Sequence, residues 1–285
     1  MSIRKAGRII RTTEVTEGAG VTVHRSIGTP AIRNLDPFLM LDHFGSDEPD
    51  AYIAGFPDHP HRGFNTFTYM LDGHMLHQDS MGNKGDLISG GAQWMKAGSG
   101  VIHSEMPQQT EGLMSGFQLW INLPASKKMT EPNYQEYSPG SFPVVEGEGK
   151  RVKVLLGQYE DTKGPIEDPN TSVSYFDVEL DENKIFKHQL ATDLTSFIYL
   201  FEGDAVIEGK AIPEHSLVAL SSGDDVMVTA GEQGTRFILV AGRPIGEPIA
   251  QYGPFVMNTQ KEIHQAMADY RDGTLVQEKA EMVGS

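Results

Sequence analysis

Phe67-Thr68-Tyr69-Met70-Leu71-Asp72-Gly73 recurs as Phe197-Ile198-Tyr199-Leu200-Phe201-Glu202-Gly203, an offset of 130 residues (197 − 67), and this recurrence decides the fold. Each copy is an aromatic and aliphatic run closed by an acidic residue and a glycine, as a strand running into a tight turn would be. A second pair follows in the same order: Met95-Lys96-Ala97-Gly98 with Gly100 resembles Met227-Val228-Thr229-Ala230-Gly231 with Gly234. Two matches in register point to two similar β-barrels in tandem. The spaces between are filled by short runs such as Thr66–Leu71, Arg151–Gly157, Ser172–Leu180, Ser196–Phe201 and Arg236–Ala241. The chain's 31 glycines, above the usual share of about 7%, punctuate these runs. The reading is all-β, with a first barrel over 1–130, a linker over 131–150, a second barrel over 151–245 and an extension over 246–285.

The first barrel carries the chemistry. His59-Pro60-His61 and His103-Ser104-Glu105 each place two potential ligands at i and i+2, and such residues share one face of a strand. Gly55 and Gly63 flank the first pair, and Ala97-Gly98-Ser99-Gly100 leads into the second. If the two strands are neighbours, three imidazoles and a carboxylate converge on one point, a donor set suited to iron, manganese, copper or zinc. With no cysteine in the chain, disulfides, thiol catalysis and iron–sulfur clusters are excluded, leaving His, Asp and Glu as ligands. His74 and His77 are spare candidates ranked below these four, because their separation of three does not fit one strand face.

Carried through the repeat, His59 and His61 fall on Gln189 and Ala191, and His103 and Glu105 on Phe237 and Leu239, so only the first barrel is expected to hold metal. His188, one residue out of phase, is expected to face outward. Near the ligands, Phe56, Phe64, Trp94 and Met106 could line a pocket for a flat ring, but core packing is the reading preferred for each. For Arg62 a structural ion pair stands against binding of a substrate carboxylate.

A net charge of −16 argues against direct nucleic-acid binding, which needs clustered Lys and Arg. The amino terminus lacks the apolar core of a signal peptide and no apolar run could span a membrane, so a cytoplasmic location without membrane attachment is expected. Pro124–Lys150 reads as a long connection in which Tyr134 and Tyr137 cover part of a pocket or brace an interface. Thr259-Gln260-Lys261-Glu262 reads as a capping box opening a short helix with Ile263, Met267 and Tyr270 on its apolar face, ended at Asp272-Gly273 and followed by a mobile tail.

The motifs His59-Pro-His61-Arg62-Gly63-Phe64, Asp79-Ser80-Met-Gly82-Asn83, Gln93-Trp94-Met95, Ala97-Gly98-Ser-Gly100-Val-Ile-His103-Ser104-Glu105-Met106-Pro107, Lys128-Met129, Pro132-Asn-Tyr134-Gln135 and Gln251-Tyr252-Gly253-Pro254-Phe255-Val256-Met257-Asn258 resemble the pirin family of the cupin superfamily. The resemblance implies a bicupin, two tandem cupin (jelly-roll) β-barrels, whose first barrel binds one divalent transition metal through His59, His61, His103 and Glu105. Iron as Fe(II) is the metal it implies first, with manganese, copper, zinc or nickel as alternatives. Several members are associated with quercetin 2,3-dioxygenase activity, others with regulation through protein partners. The function expected is therefore dioxygen-dependent cleavage of a flavonol, with a metal- or redox-sensing regulator acting through a protein partner as the alternative. Glu105 is the candidate base for the flavonol 3-hydroxyl, or simply a fixed ligand. Where pirin-like sequences commonly carry Glu after the Phe64 position this chain has Asn65, four residues beyond His61 and expected in the same strand phase. A monomer is expected of a chain that already pairs two barrels.

Overall fold

The computed structural model describes residues 2–277, and strands account for nearly all of its regular structure. The chain forms two compact units. Among the described residues, the first comprises Glu14–Gly28, Phe38–Pro139 and the chain from Ile245; the second comprises the residues up to Thr13, Thr29–Pro37 and Gly140–Pro244. No helix among the described residues is long and apolar enough to cross a membrane.

Each unit is built on a sheet with the same strand order. In the first barrel it runs Asn133–Tyr137, Ala92–Lys96, Phe64–Asp72, Met114–Asn122, Phe38–Ser46, Val21–Ile27, Thr13–Glu17. In the second it runs Ala6–Arg11, Ser216–Leu220, Thr195–Ile207, Asp225–Gly242, Ser174–Leu180, Lys150–Leu156, Val144–Gly147. The two copies of the repeated motif occupy the third strand of each, so the tandem β-barrel reading holds.

The boundaries differ from those expected, and the edge strands are the reason. Ala6–Arg11, assigned above to the first barrel, pairs antiparallel with Ser216–Leu220 in the second unit. Asn133–Tyr137, assigned to the linker, pairs with Ala92–Lys96 in the first. The two segments hold equivalent places, each closing an edge that would otherwise expose unpaired backbone groups. The segment after Ile245, expected as a separate extension, belongs to the first unit.

The register of the repeat also differs. Val101–Pro107 and Met114–Asn122 are separate strands, whereas the second barrel runs their counterpart as one strand, Asp225–Gly242. A constant offset fails there. His188 pairs with Val226 as His59 pairs with His103, so the topological counterparts of His59, His103 and Glu105 are His188, Val226 and Val228 rather than Gln189, Phe237 and Leu239. His188 is not outward-facing. It shares the phase of Phe186 and packs edge-on to Phe176 at 5.0 Å and beside Tyr159 at 5.4 Å, and burial pushes its pKa down to about 4. The surrounding core of Val226, Val228, Phe237, Leu239 and their neighbours is apolar.

The first barrel is apolar at one end, where Val21, Val23, Phe44, Tyr52, Met70, Met75, Leu87 and Met114 cluster with Phe56 against them. Each such side chain is worth about 1.5–3 kcal/mol when fully buried, which offsets the polar interior further along the barrel. A smaller four-stranded sheet supplies that interior, in the order Phe56–His61, Val101–Pro107, His74–Asp79, Lys84–Ile88.

The C-terminal helix Gln260–Arg271 opens on the expected capping box, with Thr259 N donating to Glu262 Oε2 at 2.8 Å and Glu262 N to Thr259 Oγ1 at 3.3 Å. Its buried face is Ile263 and Ala266, packed with Phe255, Met257 and Leu275. Met267 and Tyr270, expected on that face, are 39% and 44% exposed, and only the edge of Tyr270 reaches the docked side, its ring 6.3 Å from Phe255. The expected mobile tail lies largely outside the described residues.

Candidate metal centre

His59 and His103 are directly opposite each other in an antiparallel pair, and Val101 opposes His61. The i, i+2 alternation therefore brings three imidazoles to one face, with ring centroids 4.3 Å apart for His59–His103, 4.7 Å for His59–His61 and 4.9 Å for His61–His103. One nitrogen of each lies within 4.8 Å of one from each of the others. His59 Nδ1 sits 2.8 Å from the Pro57 carbonyl, which selects the tautomer with its proton there and leaves Nε2 a lone pair.

His61 and His103 are buried, and among the described residues neither His61 Nδ1 or Nε2 nor His103 Nε2 has a partner of ordinary hydrogen-bond geometry. Burial first, and the neighbouring imidazoles second, hold both pKa values well below the usual histidine range; for His61 a looser approach to the Pro254 carbonyl opposes this. Buried unsatisfied polar atoms are rare and call for an explanation. Neutral imidazoles presenting lone pairs to one point fit a borderline transition-metal cation.

Glu105 is buried and faces the same interior, but it does not share one cluster with all three histidines. It groups with His103 and His77, each contributing an atom within 4.8 Å of the others. Its Oε1 accepts hydrogen bonds from Gln93 Nε2 and, at 3.4 Å, from Thr68 Oγ1; its Oε2 accepts from Gln118 Nε2 at 2.9 Å.

His77 is more central than the sequence suggested. It is 1% exposed, opposes Glu105 across the sheet, and sets Nδ1 3.5 Å from His103 Nδ1. Its Nε2 lies 3.3 Å from Asp79 Oδ2, and Asp79 is held in turn by Met81 N at 2.9 Å and by Asn83 N at 3.1 Å, an Asx turn. The legible signal was His77-Gln78-Asp79, an i, i+2 pair, rather than the His74–His77 spacing. His74 is remote from the cluster, on the surface 3.0 Å from Asp86.

Asn65 is not in the site's phase. Gly63, at φ +91°, ends the His59 strand and resets the alternation, so Phe64 rather than Asn65 meets His61, at 5.1 Å. Asn65 shares the opposite face with Phe67 and Trp94, and its Oδ1 is buried without a hydrogen bond. Among the aromatic candidates, Phe64 flanks the histidines. Phe56 lies in the apolar end, Trp94 behind the sheet beside Phe67 at 6.1 Å, and Met106 in the opposite strand phase to Glu105. Trp120, missed from sequence, stands 5.1 Å from His61 and 4.3 Å from Phe64. Tyr134 stacks on His77 at 4.3 Å and 14°, so the segment read as a linker covers the histidine cluster from behind.

Arg62 takes the structural role, with Nη1 2.6 Å from Asp269 Oδ2 and Nε donating to the Ser99 carbonyl at 2.6 Å. Lys128 Nζ, also buried, donates to the Gly63 carbonyl at 2.8 Å, Asn122 Oδ1 at 2.6 Å and the Val256 carbonyl at 3.0 Å. Both pin the backbone just beyond His61.

Comparison with known proteins agrees with this architecture. Residues 20–121 match the family model described as Pirin, and residues 175–276 the model described as Pirin C-terminal cupin domain. A Pseudomonas aeruginosa protein named "Putative quercetin 2,3-dioxygenase PA3240" is 46% identical over 91% of this chain and 94% of its own. A pirin-like protein of Caulobacter vibrioides is 45% identical over 96% of this chain and 99% of its own. A crystal structure of quercetin 2,3-dioxygenase from Acinetobacter baumannii superimposes with a TM-score of 0.89 at 30% identity, covering 96% of this chain and 99% of that one.

Proposed function

The chain belongs to the pirin family, and from that premise we propose that it is a metal-dependent dioxygenase that opens a flavonol such as quercetin with dioxygen, its metal, iron first, held by His59, His61, His103 and Glu105. The observation that carries the reading is the cluster of buried, unpartnered imidazole nitrogens beside the Phe64–Trp120 aromatic pair. A redox-active metal bound there would supply the electron transfer that couples an electron-rich flavonolate to dioxygen. The chain supplies the rest. Phe64 and Trp120, packed with Leu39 and Met40, would form an apolar wall beside His61 for a flat heterocycle. Glu105, buried within reach of His103, is positioned to accept the 3-hydroxyl proton on a carboxylate oxygen. The names carried by the similar Pseudomonas and Acinetobacter proteins support the same substrate class.

The test is dioxygen uptake with quercetin by protein reconstituted separately with iron, manganese, copper and zinc, with His103→Ala as control. Uptake with one redox-active metal, abolished in the variant, is the expected result. Metal-loaded protein that consumes no dioxygen with any flavonol contradicts it.

A further inference from the structure

The donors around Glu105 differ in kind from the surroundings of the three histidines. His61 and His103 present nitrogens that no described residue meets with ordinary hydrogen-bond geometry, whereas both carboxylate oxygens of Glu105 already accept hydrogen bonds from side chains. Two amides do this work. Trp120 Nε1, which can only donate, lies 3.3 Å from Gln118 Oε1, and this fixes the Gln118 amide with its Nε2 turned to Glu105 Oε2. On the other side Gln93 gives one amide hydrogen to Glu105 Oε1 and the other to Thr68 Oγ1 at 3.2 Å, while its Oε1 lies 3.3 Å from the Tyr134 hydroxyl. Thr68 also donates to Glu105. Hydrogen bonds to an ionised acceptor are roughly twice as strong as neutral ones, so each amide competes in earnest with a cation for a carboxylate lone pair.

We infer that Gln93 and Gln118 are positioning residues that make Glu105 the exchangeable member of the ligand set, held back by amide donors while the three histidines retain the metal. This rests on the metal-site reading above. A carboxylate held this way would leave a bound metal without losing its acceptor bonds.

The test is competition of the metal-free chain with a chelator for cobalt(II), read as a dissociation constant. Removing the amide in Gln118→Leu or Gln93→Leu is expected to tighten cobalt binding by about tenfold, the worth of one charge-assisted hydrogen bond no longer opposing the metal. The tightening should vanish in the Glu105→Gln background, since the amide then has no carboxylate to hold; that non-additivity is what a merely structural role would not produce. Glu105→Gln alone should weaken binding by roughly tenfold or less, and His103→Ala by roughly a thousandfold or more. Trp120→Phe, which keeps the ring but frees the Gln118 amide to turn, should tighten binding in the same direction and serves where a leucine variant does not fold. The inference is overturned if the amide variants weaken cobalt binding, or if Glu105→Gln costs as much as His103→Ala. Failure of the wild-type chain to take up cobalt at all would instead remove the metal-site reading beneath it.

Discussion

Asp269 on the C-terminal helix lies 2.6 Å from the guanidinium of Arg62, the residue that follows His61. The ion pair ties the helix to the residue beside the His59–His61 strand, within one compact unit, alongside the packing of Phe255, Met257, Ile263 and Leu275. Arg62 is 2% exposed, so Asp269→Ala leaves a buried cation without its counter-charge. The expected cost is about 2–3 kcal/mol, at or just below the lower end of the roughly 3–5 kcal/mol for one-sided removal of a fully buried pair, because the Asp269 side chain is partly solvated. Urea unfolding of the variant checks it; an unchanged midpoint would show that the pair contributes nothing.

Lys128 places a charged amine among three oxygens, the Gly63 and Val256 carbonyls and Asn122 Oδ1. Lys128→Met removes the donor and strands those acceptors in a dry interior. A loss of about 3 kcal/mol is expected, again by urea unfolding, since each buried unsatisfied group costs about 1–3 kcal/mol and the backbone relaxes in part. Lys128→Arg should not restore it, because a planar fork cannot meet the acceptors of a compact ammonium.

Gly85 opposes His77 across the sheet, and a Cβ there would run into the Tyr134 hydroxyl and the Glu136 carboxylate. Gly85→Ala should therefore push the Glu136 carboxylate aside and shift the Tyr134 ring off His77, costing about 1 kcal/mol as overpacking. Loss of the Tyr134–His77 stack would be visible as a change in near-ultraviolet circular dichroism. A variant with wild-type stability and spectrum would contradict the packing described.

His61 and His103 give the metal-free protein a defined pH response. Their pKa values are lowered by burial in the folded state, so below the unfolded value of about 6.5 the unfolded chain binds protons that the folded chain refuses. Stability should fall as pH drops through that value, by up to about 1.4 kcal/mol per pH unit for each histidine. Urea midpoints measured near neutrality and about two pH units lower test the sign. A midpoint that rises in acid would contradict neutral, buried imidazoles.

Much of this was legible in the sequence because strands have a period of two. The His59/His61 and His103/Glu105 pairs announce their common face, and the repeated motif announces the barrels. Reading failed where the period is interrupted or where partners come from distant strands. Gly63 shifts the phase and removes Asn65 from the site; the fused Asp225–Gly242 strand shifts the repeat and hides His188 as the counterpart of His59. Gln93 and Gln118 meet Glu105, and Trp120 meets Gln118 and His61, only through sheet pairing and closure of the barrel, which no local pattern encodes. Edge strands are the least legible of all, since Ala6–Arg11 and Asn133–Tyr137 join barrels that their positions in the chain do not suggest.

The most direct test of the account measures gas balance in iron-loaded protein given quercetin: dioxygen consumed and carbon monoxide released, in the wild type and in His61→Ala. Equal amounts of the two gases from the wild type, and neither from the variant, are what a histidine-held metal performing flavonol ring opening predicts. Dioxygen consumed without carbon monoxide, or full activity surviving in His61→Ala, would contradict it.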